Sequence, residues 1–150
     1  MKKLIARLWR IIRGPLQWRV LWLWHAKFMV GVTGVVRDDA GRVLLLKHRM
    51  WPEGRQWGLP TGYANKSETF EETIVREVRE ETGLTVRVHQ LVRLKSGYKL
   101  RVEVAYEAQL IGGAVTTDSF EILEATWFSP TELPTGLQES HRLLILSERV

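Results

Sequence analysis

Three glutamates, Glu77, Glu80 and Glu81, stand at i, i+3 and i+4 in the segment GYANKSETFEETIVREVREETGL, residues 62–84. On a helix this spacing puts the three carboxylates on one face, within a single turn. Like charges so placed repel, and each pair costs a few tenths of a kcal/mol, roughly what an opposite-charge pair would return. A divalent cation reverses the sign of that repulsion. Carboxylate oxygens supplemented by water or phosphate oxygens suit Mg²⁺, with Mn²⁺ as a substitute. The competing reading is a solvated acidic face, in which Glu71, Glu72, Glu77, Glu80 and Glu81 are balanced by Arg76 and Arg79.

The elements around these glutamates must hold them rigidly. From Glu68 to Thr82 the apolar positions Phe70, Ile74, Val75 and Val78 recur at helical period, and Gly83 follows as a stop. Before this helix, Phe28 to Arg37 and Arg42 to Lys47 read as strands joined by the turn Asp38-Asp39-Ala40-Gly41, a hairpin. A loop rich in Pro, Gly and Trp leads into the glutamate segment. After it come strands from Leu84 to Leu94 and Leu100 to Ile111, a polar loop, a short strand from Ala125 to Phe128, and a closing helix from about Gly136. Strands mixed with few helices predict an α+β domain over residues 28–150.

Gly62, five residues, Glu68, seven residues, Arg76-Glu77-Val78, one residue, Glu80-Glu81, one residue and Gly83-Leu84 resemble the Nudix box at every defining position. With residue types each at roughly 6% frequency, a chance match of this length at one window is on the order of one in a billion. The flanking glycines therefore favour the metal reading over the solvated one for Glu77, Glu80 and Glu81, and leave Glu71 and Glu72 solvated. The resemblance extends through Trp57-Gly58-Leu59-Pro60 before the box and Glu121, Glu124, Trp127 and Phe128 after it.

The resemblance implies a Nudix fold, a mixed sheet sandwiched between helices. It implies Mg²⁺-dependent hydrolysis of a phosphoanhydride bond in a nucleoside diphosphate derivative or a nucleoside triphosphate. Gly62, through its carbonyl, and Glu77, Glu80 and Glu81 would hold the metal, with Glu68 and Arg76 as a supporting pair that positions the carboxylates. In some relatives the base is a glutamate six residues before a tryptophan. Glu121 stands so before Trp127 and is the first candidate, followed by Glu80 and Glu124. Two positions depart from the usual pattern. Thr61 stands where many members have glycine, and Asn65 where many have an acid.

Other residues carry less. Trp51 offers a ring that could stack on the base or ribose of a nucleotide, whereas Trp57, which abuts a strand expected at Gly58-Leu59-Pro60, reads as packing under its loop. His25, His48, His89 and His141 lack metal-ligand spacing and read as surface or satisfied core. Glu103 and Glu107 read as strand surface.

The chain of 150 residues contains no cysteine, which excludes disulfides, thiolate ligands and a thiol nucleophile, and with it an isomerase of this fold that depends on one. A noncatalytic nucleotide-binding module would be expected to have lost the box glutamates. Charge is concentrated at the start. Residues 1–27 hold Lys2, Lys3, Arg7, Arg10, Arg13, Arg19 and Lys27 and no acid, so of 22 cations and 17 acids the remainder carries 15 against 17, or −2. This extension reads as a helical stretch from Leu4 to Arg13, a break at Gly14-Pro15, and a Trp-rich stretch from Leu16 to Phe28. It is too short and charged to span a membrane and lacks a cleavage site. It is expected to pack on its own domain or on a second subunit as a homodimer. The alternative is an anionic membrane surface, where a CDP-alcohol would be a fitting substrate; nucleic acid is not expected. The expected location is the cytoplasm, peripheral to the membrane if the extension attaches there.

Overall fold

The computed structural model describes residues 9–10, 14–116 and 119–147. The expected helix from Leu4 to Arg13 lies outside them apart from Trp9 and Arg10. Gly14-Pro15 does open a new helix, α1 (Pro15–Trp24), with proline at its first turn, where the missing N–H costs no bond. No residue of α1 is buried.

Strands β1 (Met29–Arg37) and β2 (Val43–His48) form the expected hairpin. Asp38 closes its turn, accepting from the Ala40 and Arg42 N–H groups at 3.1 and 2.8 Å, and Gly41 takes the left-handed conformation the turn requires (φ 76°). Two short strands follow: β3 (Trp57–Gly58), which overlaps the strand expected at Gly58-Leu59-Pro60 only at Gly58, and β4 (Thr61–Tyr63), in a stretch expected to be loop. They escape a periodicity reading because Pro60 separates them and neither is long enough to alternate. Next come α2 (Phe70–Thr82), β5 (Thr85–Ser96), a 3₁₀ turn at Tyr98–Leu100, β6 (Arg101–Gly112), β7 (Ile122–Phe128) and α3 (Glu139–Leu146). The last strand starts earlier than expected, because pairing with β2 extends it back to His48↔Ile122 across a bulge.

The sheet runs β3-β2-β1-β6-β5, with β4 also paired to β1 and β7 to β2. Among the described strands β1 and β6 are the one parallel pair, from Met29↔Arg101 to Arg37↔Gln109. It is a mixed sheet with a core on each face. Val32, Val36, Leu44, Leu46 and Val104 pack with Ile74 and Val78 of α2, while Val35, Val43, Leu45, Leu59 and Ala105 pack with Leu144 and Ile145 of α3. The unbroken apolar run Val43-Leu44-Leu45-Leu46 follows from this, since β2 is buried on both faces and needs no polar alternation. Hairpin strands β1 and β2 are in register only at Arg37↔Val43 and then diverge. β4 takes the edge of β1 at Gly31–Thr33, while β3 and β7 take β2. Residues from both sides of this divergence line a cavity of about 980 Å³.

Candidate active site

Helix α2 is fixed at both ends by its own sequence. The Thr69 hydroxyl accepts from the Glu72 N–H and the Glu72 carboxylate from the Thr69 N–H, a reciprocal capping box, so Glu72 has a local structural partner and is more than a solvated residue. Gly83 ends the helix with φ 71°, its N–H donating to the Arg79 carbonyl.

Glu68, just before the helix, gathers the preceding loop. It accepts from the Asn65 N–H (2.9 Å), the Thr73 hydroxyl (3.0 Å), and Arg76 through Nε (2.7 Å) and Nη2 (3.1 Å). The Arg76 guanidinium foremost, then the Asn65 N–H, hold its carboxyl down to about 2. Arg76 also donates to the Tyr63 carbonyl (3.1 Å), to Glu77 Oε1 (2.6 Å) and to Glu80 Oε2 (3.2 Å). One guanidinium thus ties β4, the loop and two of the three helical glutamates together.

Glu81 lies behind them, 8% exposed, with Oε2 lacking any hydrogen-bond partner. Burial foremost, then the charges of Glu77, Glu121 and Glu80, push its carboxyl up to about 8. Glu121, distant in sequence, therefore shares the acidic cluster. The Arg49 N–H donates to the Glu121 carbonyl (2.8 Å) and Arg49 Nε to the Phe120 carbonyl (2.9 Å), which fixes the segment before β7 against the end of β2. Glu77, Glu80, Glu81, Glu121, Gly62, Arg76 and Trp51 all line the one cavity. Glu124 does not; it is exposed on β7 and accepts from the Thr126 hydroxyl.

Two observations bear on a cation. At Gly62 a Cβ would overlap the Glu77 carboxylate, so only glycine lets that carboxylate approach the backbone. The buried, unpartnered Glu81 oxygen amid like charges is a position that a cation would satisfy. Among the described residues no three acidic or imidazole side chains already surround one point, and Arg76 donates to one oxygen each of Glu77 and Glu80. The donor set nevertheless fits a hard divalent cation in its chemistry, being all oxygen and clustered at a cavity wall.

The other end of the cavity was not legible as a site. His48 is 7% exposed, stacks on Trp51 (centroids 3.8 Å apart, planes at 14°), and has an unpartnered Nε2. His141 lies 6.1 Å from the same indole and accepts the Leu59 N–H at Nδ1 (3.0 Å), which leaves the proton of the neutral ring on Nε2. Burial pushes both imidazoles down to about 4, with the neighbouring His141 adding to the effect on His48. A Cβ on Gly58 would sit 2.5 Å from the Trp51 ring, so the indole is seated against bare backbone. His48 is therefore neither surface nor satisfied core, whereas the half-buried His141 has its Nδ1 satisfied by the Leu59 N–H. The one local signal was the spacing His48-x-x-Trp51; His141 arrives from the other end of the chain. Arg101 and Tyr63 also face the cavity, joined by a 3.1 Å hydrogen bond from Arg101 Nη1 to the Tyr63 hydroxyl. Trp57 packs edge-on to Phe128, in the core beneath its loop. Glu103 is exposed on its strand, whereas Glu107 is half-buried with Arg37 Nε at 3.0 Å, an ion pair that the expectation of strand surface did not include.

The NUDIX domain profile matches residues 27–146. The chain is 36% identical over 107 residues to the NAD-capped RNA hydrolase NudC of Mycobacterium tuberculosis, covering 69% of this chain and 33% of that protein. It is 31% identical over 118 residues to a MutT-like protein of Streptomyces ambofaciens, covering 78% and 74%. Among solved structures, a MutT NUDIX hydrolase from Burkholderia pseudomallei superposes with a TM-score of 0.67 at 27% identity, over 79% of this chain and 96% of that one. The chain spans about a third of the length of NudC. With Gly62, Arg76, Glu77, Glu80 and Glu81 of the box lining one cavity, and a domain profile matched over most of its length, the chain belongs to the NUDIX domain family.

Proposed function

We propose that this chain hydrolyses a phosphoanhydride bond in a nucleoside diphosphate derivative or a nucleoside triphosphate, with Mg²⁺ as its cofactor. The observation that carries the reading is the convergence of Glu77, Glu80, Glu81 and Glu121 at one wall of a cavity, with an oxygen of Glu81 buried and unpartnered. Such a cluster is unfavourable by itself and becomes favourable around a cation. Glu77, Glu80 and Glu81, with the Gly62 carbonyl, would hold Mg²⁺, or Mn²⁺ in its place. The bound ion supplies neutralisation of phosphate charge and acidification of the attacking water.

The remaining steps belong to the protein. Arg76, itself aligned by Glu68, positions Glu77 and Glu80. Glu121 takes the proton from water as it attacks phosphorus, and the electron pair of the breaking P–O bond leaves with the departing phosphate. Glu80 is the second candidate for that proton. Trp51, held by His48 and Gly58, presents a ring to the base of the nucleotide.

The activities of similar proteins support the substrate class. One is a hydrolase of NAD-capped RNA, NudC, and another, 32% identical over 120 residues, is the human 8-oxo-dGDP phosphatase NUDT18. The deciding experiment presents the purified full chain, with and without Mg²⁺, with nucleoside triphosphates, ADP-ribose, CDP-alcohols, dinucleoside polyphosphates and NAD-capped RNA. Mg²⁺-dependent release of a mononucleotide or pyrophosphate from at least one is expected. Turnover of none, by a folded protein that binds Mg²⁺, would overturn the reading.

A further inference from the structure

Helix α1 has the composition of a core element and the exposure of a surface one. Leu16, Val20 and Leu23 lie on one side and Trp18, Leu21 and Trp22 on the other, with Trp24 between; Gln17 and Arg19 are its polar residues. Trp18, Trp22 and Trp24 are 74, 63 and 85% exposed, and the apolar surface continues past the helix through Phe28 and Met29. A contiguous patch of this kind in water is costly and marks a surface that is covered by something. Among the described residues none covers it closely enough to bury any residue of α1.

Charge selects the occupant. Residues 1–27 carry seven cations and no acid. A second copy of the chain would bring seven more cations to the same contact and repel it. A nucleic acid would answer the charge but has no use for Leu16, Val20, Leu21 and Leu23. An anionic membrane interface answers both, because headgroups attract the lysines and arginines while the boundary of the acyl region accepts leucine and valine. Tryptophan prefers that same boundary. The Lys27 Nζ lies 4.4 Å over the Trp22 ring, which sets a cation and an indole at one level, as the headgroup region requires. Spanning is not possible for α1: its ten residues reach roughly 15 Å, half of a hydrocarbon core of about 30 Å.

We infer that α1 with its flanking cations is an interfacial anchor that lays this protein on anionic membranes. β1 follows α1 after residues 25–28 and lines the cavity at Gly31, so the anchor holds the cavity close to the lipid surface. The inference does not depend on the hydrolytic reading.

The test uses the full chain with vesicles of phosphatidylglycerol and phosphatidylcholine, against vesicles of phosphatidylcholine alone. Partitioning into the anionic vesicles is expected to be at least about tenfold stronger, with tryptophan emission quenched by brominated lipid. Raising salt from about 0.02 to about 0.5 M shortens the screening length severalfold and should release the protein. Trp18→Ala, Trp22→Ala and Trp24→Ala together should lose both binding and quenching, and Arg7→Gln, Arg10→Gln, Arg13→Gln and Arg19→Gln together the preference for anionic lipid. Failure of the full chain to bind overturns the inference, as does equal binding to neutral vesicles or anionic binding retained by both variants. A dimer that ignores vesicles and dissociates in the tryptophan variant would assign α1 to a second copy. Single-stranded RNA that displaces the protein from vesicles and binds about tenfold more tightly would assign it to nucleic acid.

Discussion

Glu81 illustrates how a single buried carboxylate joins stability to function. It lies among Glu77, Glu80 and Glu121 with one oxygen unpartnered, a cost to the metal-free fold. Glu81→Gln should leave the thermal midpoint of metal-free protein level or higher while turnover falls by orders of magnitude, and Glu80→Gln should behave alike; calorimetry and steady-state kinetics on the same samples check this. Full activity in both variants would remove the metal assignment. Glu121→Gln should lower kcat and leave Mg²⁺ affinity, measured by titration calorimetry, unchanged. A loss below about tenfold, roughly 1.4 kcal/mol of barrier, would pass the proton to Glu80. Trp51→Ala should raise KM far more than it lowers kcat, by about 1 to 3 kcal/mol of lost stacking, with Trp51→Phe between. Equal KM values would return Trp51 to a packing role.

Several elements meet at His48 and His141, which link the end of β2 to α3 through Trp51 and the Leu59 N–H. Unfolded, these rings take up protons near pH 6.5; folded, burial holds them neutral down to about pH 4. The unfolded state therefore binds more protons throughout that window, and stability should fall as pH drops from 6.5 towards 4. Thermal midpoints across this range should fall less steeply in His48→Gln than in the native chain. Glu68 acts lower, since its depressed carboxyl contributes stability that is present above pH 4.5 and lost as pH falls towards 2. The two contributions separate by pH.

Over the whole molecule, charge and burial divide at the same place. The cationic residues 1–27 precede a body that nets −2, and the packed core begins in β1, at Val32. Because Trp18, Trp22 and Trp24 are all exposed, replacing these three tryptophans with alanine should leave the thermal midpoint and the hydrolysis of a soluble nucleotide unchanged. A drop of several degrees, of the order that 1 kcal/mol produces in a domain of this size, would make α1 part of the fold.

The acidic helix was readable from the linear chain because its determinants are local. Helical period aligns Glu77, Glu80 and Glu81, and Gly83 ends the last turn; the Thr69 and Glu72 cap, though equally local, is not part of that reading, which leaves Glu72 solvated. The α+β class and the long strands were likewise set by runs of apolar residues, of which Val43 to Leu46 is the plainest. Tertiary structure alone decided what those glutamates face. The divergence of β1 from β2 opens the cavity, pairing of β7 back to His48 brings Glu121 to Glu81, and packing of α3 brings His141 to Trp51. None of these has a local signature, because each is a contact between segments far apart in sequence whose register depends on the whole sheet. The exposure of α1 belongs with them. Its sequence reads equally as a buried helix and as an exposed one, and among the described residues no residue of α1 is buried.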